Sequence, residues 1–577
     1  MAAAPVKEFF ALAAKWWGAA STLTKVVTVA SVISTAYSVY SSVAQMRQLK
    51  GVRKGHAGAS TDSGRDVTTR GTIDTQKLVY GQAKISGPIS YLHAEEGVMY
   101  MQVVLARGEI EAVKDVWFDD VKIADASISS TGAVTAGEFA ADADGNTIAY
   151  IKRYTGTSDQ VADQNFTTLS DYTADHRGRG LAYLSVKLQL TEKSQETWDK
   201  YGAPNNLSAL VEGKKDVYDP RLDSNYLTNP DTTNASYQTY AAGTNPPLAI
   251  ANYLMDTSIG LGVQASEIDW STFHAAATYC DVMVAEPGST TAKRFTCNGV
   301  LFSSDSHKTN LDKLTSACNG TLVYACGKYF MEVGYTAPVA SFNDDSLTAP
   351  VQISTAFSRD DRFNTIKATY HSEDHQYERQ EMPAATISSA RTRDNNEVLE
   401  REIHLGMTTR SYESQRIANR LIQKTDEQKV VKLSLNYSAL NVRPGDRINL
   451  TLTELGWSNL VFRVSQWTYN ENGVELVARE DDSGSYSDPA ASWYSEVTAD
   501  GVIAAGVPSI PAPSALTATA VTDGIELNWN LPALDNWQNI VIYASTSSAW
   551  SSAVKIGSGN MTSFMHDAST AADPITA

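Results

Sequence analysis

His371, Glu373 and His375 stand together in "HSEDH", and two imidazoles four residues apart could share a zinc ion if a helix set them on one face. A zinc protease needs more than that spacing. Its glutamate follows the first histidine directly, on a helix, where this chain has Ser372 at the end of a strand-like run. A solvated loop is the expectation. Neighbouring carboxylates form a second candidate: Glu95 with Glu96, Asp119 with Asp120, and Asp360 with Asp361. Glycoside hydrolysis needs two carboxyls about 5–10 Å apart across a cleft, and chain neighbours in polar turns do not ensure that. The chain has no Gly-x-Ser-x-Gly elbow and no P-loop lysine motif. We therefore expect no enzyme, with no catalytic, metal-binding or cofactor-binding residues and no cofactor.

Cys280, Cys297, Cys318 and Cys326 lie in one region without a Cys-x-x-Cys pair, which argues against a zinc ribbon or redox motif. Their small and apolar neighbours suggest buried free thiols in a reducing compartment; spacing leaves one disulfide open. The net charge of -18 argues against general nucleic-acid binding. Such a surface commonly serves solubility, and it would also suit a wall past which DNA slides without specific binding.

The elements that would position these residues fall into several domains, as 577 residues are too many for one core. Residues 1–50 read as apolar helices. Their run 26–46, "VVTVASVISTAYSVYSSVAQM", has no charge and enough length to span a bilayer, but it is rich in Ser and Thr and lacks Leu and Phe. Val26, Ala30, Ile33, Tyr37, Tyr40 and Ala44 form one helical stripe, and Val29, Val32, Ala36, Val39 and Val43 form another beside it. We expect Val26, Val29, Ala30, Ile33, Tyr37 and Tyr40 to pack against protein partners. A membrane span, or a membrane role during some transition, is the alternative.

A Gly- and Ser-rich linker, 51–68, precedes strand-patterned sequence over 69–239, read as a β-barrel or sandwich with insertions, including a turn at Asp119 and Asp120. Residues 240–345 read as an α+β domain. Its helices start at "NPPLAIANYLMD" with Asn245 as cap, at "STFHAAATYCD" with Ser271 as cap, and at "KTNLDKLTSACNG", ahead of a hairpin turning at Cys326 and Gly327. Residues 346–424 combine a strand with a helix over 411–424 that has Ile417, Ala418, Leu421 and Ile422 on one side. Residues 425–485 read as a second small barrel with turns at Pro444–Gly445 and Asn472–Gly473. A Pro-rich linker, 486–513, leads to a partial β-sandwich, 514–577. The fold class is thus mainly β with α+β parts, in a multidomain chain.

Several stretches in order resemble the central tail hub, the J-type tip-attachment protein, of long-tailed bacteriophages: "LVYGQAKISGPI", "NPPLAIANYLMDTSIGLGVQASEIDWSTFHAAATYCD", "RFTCNGVLFSSDSHKTNLDKLTSACNGTLVYACGKYFMEVG", "DDRFNTIKATY" and "LNVRPGDRINL" with "FRVSQWTYNENGVELVARED". Residues from 514 on are similar to a fibronectin type III domain that stops short, as though the chain were the front part of a longer protein. The resemblance implies two tail-tube-like β-barrels and a homotrimer at the distal end of the tail, made in the host cytoplasm. It implies contact with the tape-measure protein and with neighbouring tail-tip and distal tail proteins, opening for DNA after host attachment, and a central fibre. Receptor recognition would then lie beyond residue 577. The competing reading is a membrane-anchored bacterial surface adhesin with a fibronectin-type stalk. A cell-wall-degrading tail enzyme lacks a candidate constellation.

Overall fold

The computed structural model describes residues 68–69, 74–142, 144–190, 194–355 and 362–495, and parts of 514–567. The helical stripes of 1–50, the linker through residue 67, and Asp360 with Asp361 lie outside the described residues. The chain divides into two units, residues 1–501 and 502–577.

Strands β1 (Lys77–Tyr80), β2 (Gln82–Ile85), β3 (Ile89–Glu95), β4 (Val98–Arg107), β5 (Ile110–Phe118), β6 (Val121–Ile123), β7 (Ala149–Thr155), β8 (Leu181–Gln189) and β9 (Leu207–Lys214) open the first unit. They build two four-stranded sheets, ordered β3-β4-β8-β7 and β2-β9-β5-β6. One core takes side chains from both sheets, among them Met101, Val103, Ile151, Val186, Val116 and Val211. β4 is buried along most of its length rather than at alternate residues. Its second face is covered too, because Tyr100 packs with Phe166, Leu169 and Tyr172 of the following loop. Helix α1 (Gln195–Tyr201) closes the end of the core through Trp198 and Tyr201.

A second core begins with the short α2 (Tyr240–Gly243) and with α3 (Pro246–Met255), α4 (Trp270–Asp281) and α5 (His307–Ser316). α3 starts where Pro supplies a helical φ at its first position. Asn245 stands at its cap but turns its amide away, donating to the Ala277 carbonyl at 3.0 Å and so tying α3 to α4. The cap of α4 is Asp269, not Ser271: its carboxylate accepts the Thr272 N–H, while Ser271 donates its hydroxyl to the same carboxylate. The two-stranded sheets here are β10 (Met283–Glu286) with β11 (Thr290–Lys293), and β13 (Thr321–Ala325) with β14 (Lys328–Glu332). The turn of the latter has Cys326 at φ 51° and Gly327 at φ 78°, both left-handed as a two-residue hairpin turn requires. β12 (Gly299–Phe302) pairs antiparallel with β1, more than 200 residues earlier, and joins this core to the first.

The same second core takes residues of β17 (Thr365–Ser372) and of α7 (Ser411–Asp426). β17 carries β18 (Glu378–Glu381) and β19 (Ala385–Thr386) antiparallel and β20 (Glu400–Leu405) parallel, with α6 (Ser388–Arg393) in the crossover. A third core lines a six-stranded sheet ordered β15-β22-β23-β24-β21-β16, from β15 (Ala340–Asn343), β16 (Gln352–Ser354), β21 (Val430–Leu435), β22 (Arg447–Leu452), β23 (Trp457–Asn470) and β24 (Gly473–Glu480). Among the described residues no ladder closes on itself into a barrel. The fold is mainly β with α+β parts, as expected.

The second unit holds β25 (Ser514–Val521), β26 (Gly524–Asn530) and β29 (Ser563–Asp567) in one sheet, and β27 (Ile540–Ala544) paired with β28 (Val554–Gly559) in another. Trp529 is buried in β26.

Candidate functional site

α7 buries two faces of different chemistry. Ile417, Ala418 and Ile422 enter the second core, as their spacing predicts. The other face is polar and just as dry: Glu413 and Arg416 are 0% exposed and Arg420 is 2%. Buried charges survive only when paired and hydrogen-bonded; Arg416 and Arg420 face carboxylates, and Glu413 is held by hydrogen bonds from Thr296.

Arg416 donates to Glu286, at the end of β10, at 2.9 Å and to the Tyr494 hydroxyl at 3.0 Å. Arg410 donates to the other Glu286 oxygen at 2.6 Å. Glu413 accepts the Thr296 N–H and, at 2.8 Å, the Thr296 hydroxyl. Burial pushes its carboxyl up to about 7, against the pull of Thr296 and Arg416. One turn on, Arg420 packs its guanidinium over the rings of Phe295 (5.0 Å) and Tyr279 (5.3 Å). Lys424 reaches Asp481 and Glu427. Asp481 also receives Arg447, which donates further to Thr336 (2.6 Å), the Gly334 carbonyl (3.1 Å) and the Tyr486 hydroxyl (2.8 Å). Burial alone would raise Asp481, but Lys424 and Arg447 hold it below the usual carboxylate range.

Beside this network is a cavity of about 100 Å³, lined by Asn319, Glu332, Arg420, Lys424, Arg463 and Tyr486. Each cation around it faces a carboxylate: Arg463 meets Glu332 at 2.7 Å, and Arg420 meets Asp488 at 3.6 Å. The arrangement ties the helical core to the six-stranded sheet.

A second joint lies at "HSEDH". His371 is a buried strand residue, 7% exposed, rather than part of a solvated loop. Its Nδ1 is 3.2 Å from the Tyr377 carbonyl, and its ring meets that of His404 at 5.8 Å. His375 Nδ1 lies 3.0 Å from the Ser372 hydroxyl. Burial raises Glu373, which sits 3.6 Å from Arg410. The loop beyond it crosses to the first sheets, where Gln376 accepts the Trp117 indole N–H at 2.9 Å and Tyr377 donates to Gln82 at 2.8 Å. Burial of the strand end accounts for the difference from expectation. Among the described residues no group of three or more His, Cys, Asp or Glu is placed to hold a metal ion.

Of the remaining candidates, Asp119 is a turn residue that accepts the N–H groups of Asn205 and Asn206, and Glu96 sits at a turn with φ 50°. All four thiols are free; Cys280, Cys297 and Cys318 are buried, whereas Cys326 is exposed, because its turn projects from the hairpin. Val26, Val29, Ala30, Ile33, Tyr37 and Tyr40 lie outside the described residues. Among those described, no helix is long and apolar enough to cross a membrane. Sequence reasoning found the apolar stripe of α7 and missed its charged face; the signal was Glu413, Arg416, Arg420 and Lys424, spaced by three and four on one side.

Comparison with solved structures finds a chain of the virion of a native gene transfer agent particle, 14% identical, TM-score 0.49, covering 76% of this chain and 92% of that one. A 43 kDa tail protein of prophage MuSo2 from Shewanella oneidensis is 10% identical with TM-score 0.26, covering 72% of this chain and 99% of that one. Prophage tail protein gp18 from Listeria monocytogenes EGD-e is 8% identical with TM-score 0.23, covering 68% and 87%. No curated protein matches. Residues 306–467, from α5 through β23 and including all of α7, match the model of a family described as "Putative phage tail protein".

Proposed function

We propose that the chain is a structural protein of a phage virion, a trimeric hub at the distal end of the tail tube. In this reading it closes the tube, contacts the tape-measure protein and neighbouring tail-tip proteins, and opens for DNA after host attachment. The second unit, a fibronectin type III-like domain, leads toward a central fibre. The observation that carries the reading is the tail-family match over 306–467. Two physical features support it. A part that stays shut under load needs its domains clamped, and α7 is tied to the end of the six-stranded sheet by Lys424 on Asp481 and by Arg479, which donates to the Lys424 carbonyl at 2.7 Å. A wall passed by DNA should not hold phosphate, and the net charge of -18 repels it.

Light scattering on the purified chain in detergent-free buffer, with and without residues 1–50, tests the assembly. A trimer, or a soluble monomer once 1–50 is removed, agrees with the hub. Recovery of the full chain only from membranes, in detergent, would overturn it in favour of the anchored adhesin. Gold labelling of tails places the chain directly: label along the shaft or at the head end contradicts a distal hub.

A further inference from the structure

We propose that residues 482–495 are a releasable strap on α7, the first part of the core to feel a load applied through the C-terminal unit. In chain order this segment is the last described stretch before that unit. It lies along α7 in the opposite direction, contact by contact. Ser495 exchanges two hydrogen bonds with the Gln415 side chain, at 2.8 and 2.9 Å. Tyr494 accepts from Arg416 at 3.0 Å. Asp488 takes Arg294 at 2.9 Å and Arg420 at 3.6 Å, and the Tyr486 carbonyl accepts from Arg420 at 3.0 Å. The Tyr486 ring lies 4.0 Å under Lys424, and the Asp482 N–H donates to Glu427 at 3.0 Å.

Two features make this segment releasable. Among the described residues, no backbone–backbone hydrogen bond ties it to the rest of the chain; its own run only within it, in turns at 483–486 and 491–493. It can therefore leave without breaking a sheet ladder. Its contacts are also in series, so a load entering from beyond residue 495 falls first on Gln415–Ser495 and last on Glu427–Asp482. Departure removes Asp488 from Arg294 and Arg420, and the Tyr494 hydroxyl from Arg416, leaving buried cations short of partners. That cost keeps the strap seated at rest. Detachment thus turns a pull on the distal unit into a change in the charge network that clamps the core. The inference rests on these contacts and stands apart from the tail reading.

The test is single-molecule extension of the full chain, held at the exposed thiol of Cys326 and at the C-terminus. Before the core breaks, a separate step of roughly 30 Å is expected: 14 residues extend to about 50 Å at roughly 3.6 Å each, less the roughly 18 Å they already span along α7 at about 1.5 Å per helical residue. Gln415→Ala, which removes the outermost strap contact and one bond within α7 to the Ser411 hydroxyl, lowers the release force of that step and leaves core rupture unchanged. Hydrogen exchange supplies a second reading: the Ser495 amide exchanges at least tenfold faster than the β24 amides, and faster still in Gln415→Ala. Core rupture without the earlier step, a step indifferent to Gln415→Ala, or equal protection of Ser495 and β24 would each overturn the strap.

Discussion

Glu413 is the residue whose chemistry is furthest from ordinary. With its carboxyl raised to about 7 in the fold and near 4.5 when unfolded, the native state holds a proton that the unfolded state has lost between those values. Native proton uptake is then the larger, so this group's contribution to stability is full below about pH 4.5, falls as pH rises to about 7, and levels off above. The span is about 3 kcal/mol for this group. Other carboxyls titrate alongside it, so the informative quantity is the difference from Glu413→Gln. Gln keeps an oxygen for the Thr296 N–H but carries no charge. Denaturant midpoints of the two proteins at pH 5 and pH 8 should show a smaller loss with pH in the variant; equal losses would mean that Glu413 is charged in the fold. Arg447 offers the opposite case. It is 1% exposed with four partners, so Arg447→Leu takes one of two cations from the buried Asp481 and leaves the Gly334 carbonyl and two hydroxyls without their donor, and we expect a loss of roughly 3–5 kcal/mol in urea unfolding. A loss under 1 kcal/mol would show that Lys424 and the Tyr486 hydroxyl satisfy Asp481 without Arg447.

At the scale of elements, local signals were legible where a turn or helix end is made by its own residues. The hairpin at Cys326 and Gly327, the turn at Asp119, and the start of α3 all follow from residue types that favour those conformations. Asp269 displaced Ser271 as a cap because both can cap and only the fold decides which residue leaves the helical region. The pairing of β1 with β12 was not legible, as no local pattern records a partner some 220 residues away. Nor was the dry polar face of α7, because Arg and Glu are exposed by default and each here is buried by a partner from another element. Two glycines make the point testable. At Gly473, with φ 135°, a Cβ would stand 2.0 Å from the Leu435 carbonyl oxygen; at Gly327, with φ 78°, it would meet nothing within 4 Å. Gly327→Ala should cost about 1 kcal/mol of backbone strain, and Gly473→Ala clearly more, by comparison of denaturant midpoints. Equal costs would mean the β23–β24 turn shifts to admit the methyl.

At the scale of the molecule, the proposed trimer raises the question of what would hold copies together, and the candidates are residues 26–46, outside the described structure. Their two adjacent stripes of small and β-branched side chains suit helices that pack on several neighbours. Burying such a helix at about 25 cal/mol per Å² of apolar surface would stabilise a contact by several kcal/mol, enough to decide assembly, and the side chains described in the three cores come from residue 78 onward. Replacing Val29 and Ile33 by Asp should therefore leave the unfolding transition of the cores in place while tail-tip assembly stops. The two readouts separate the explanations. Lost assembly with a preserved transition assigns the stripes to partner contact. Normal particles from the double variant would remove them from assembly, and loss of the transition itself would make 26–46 part of a core.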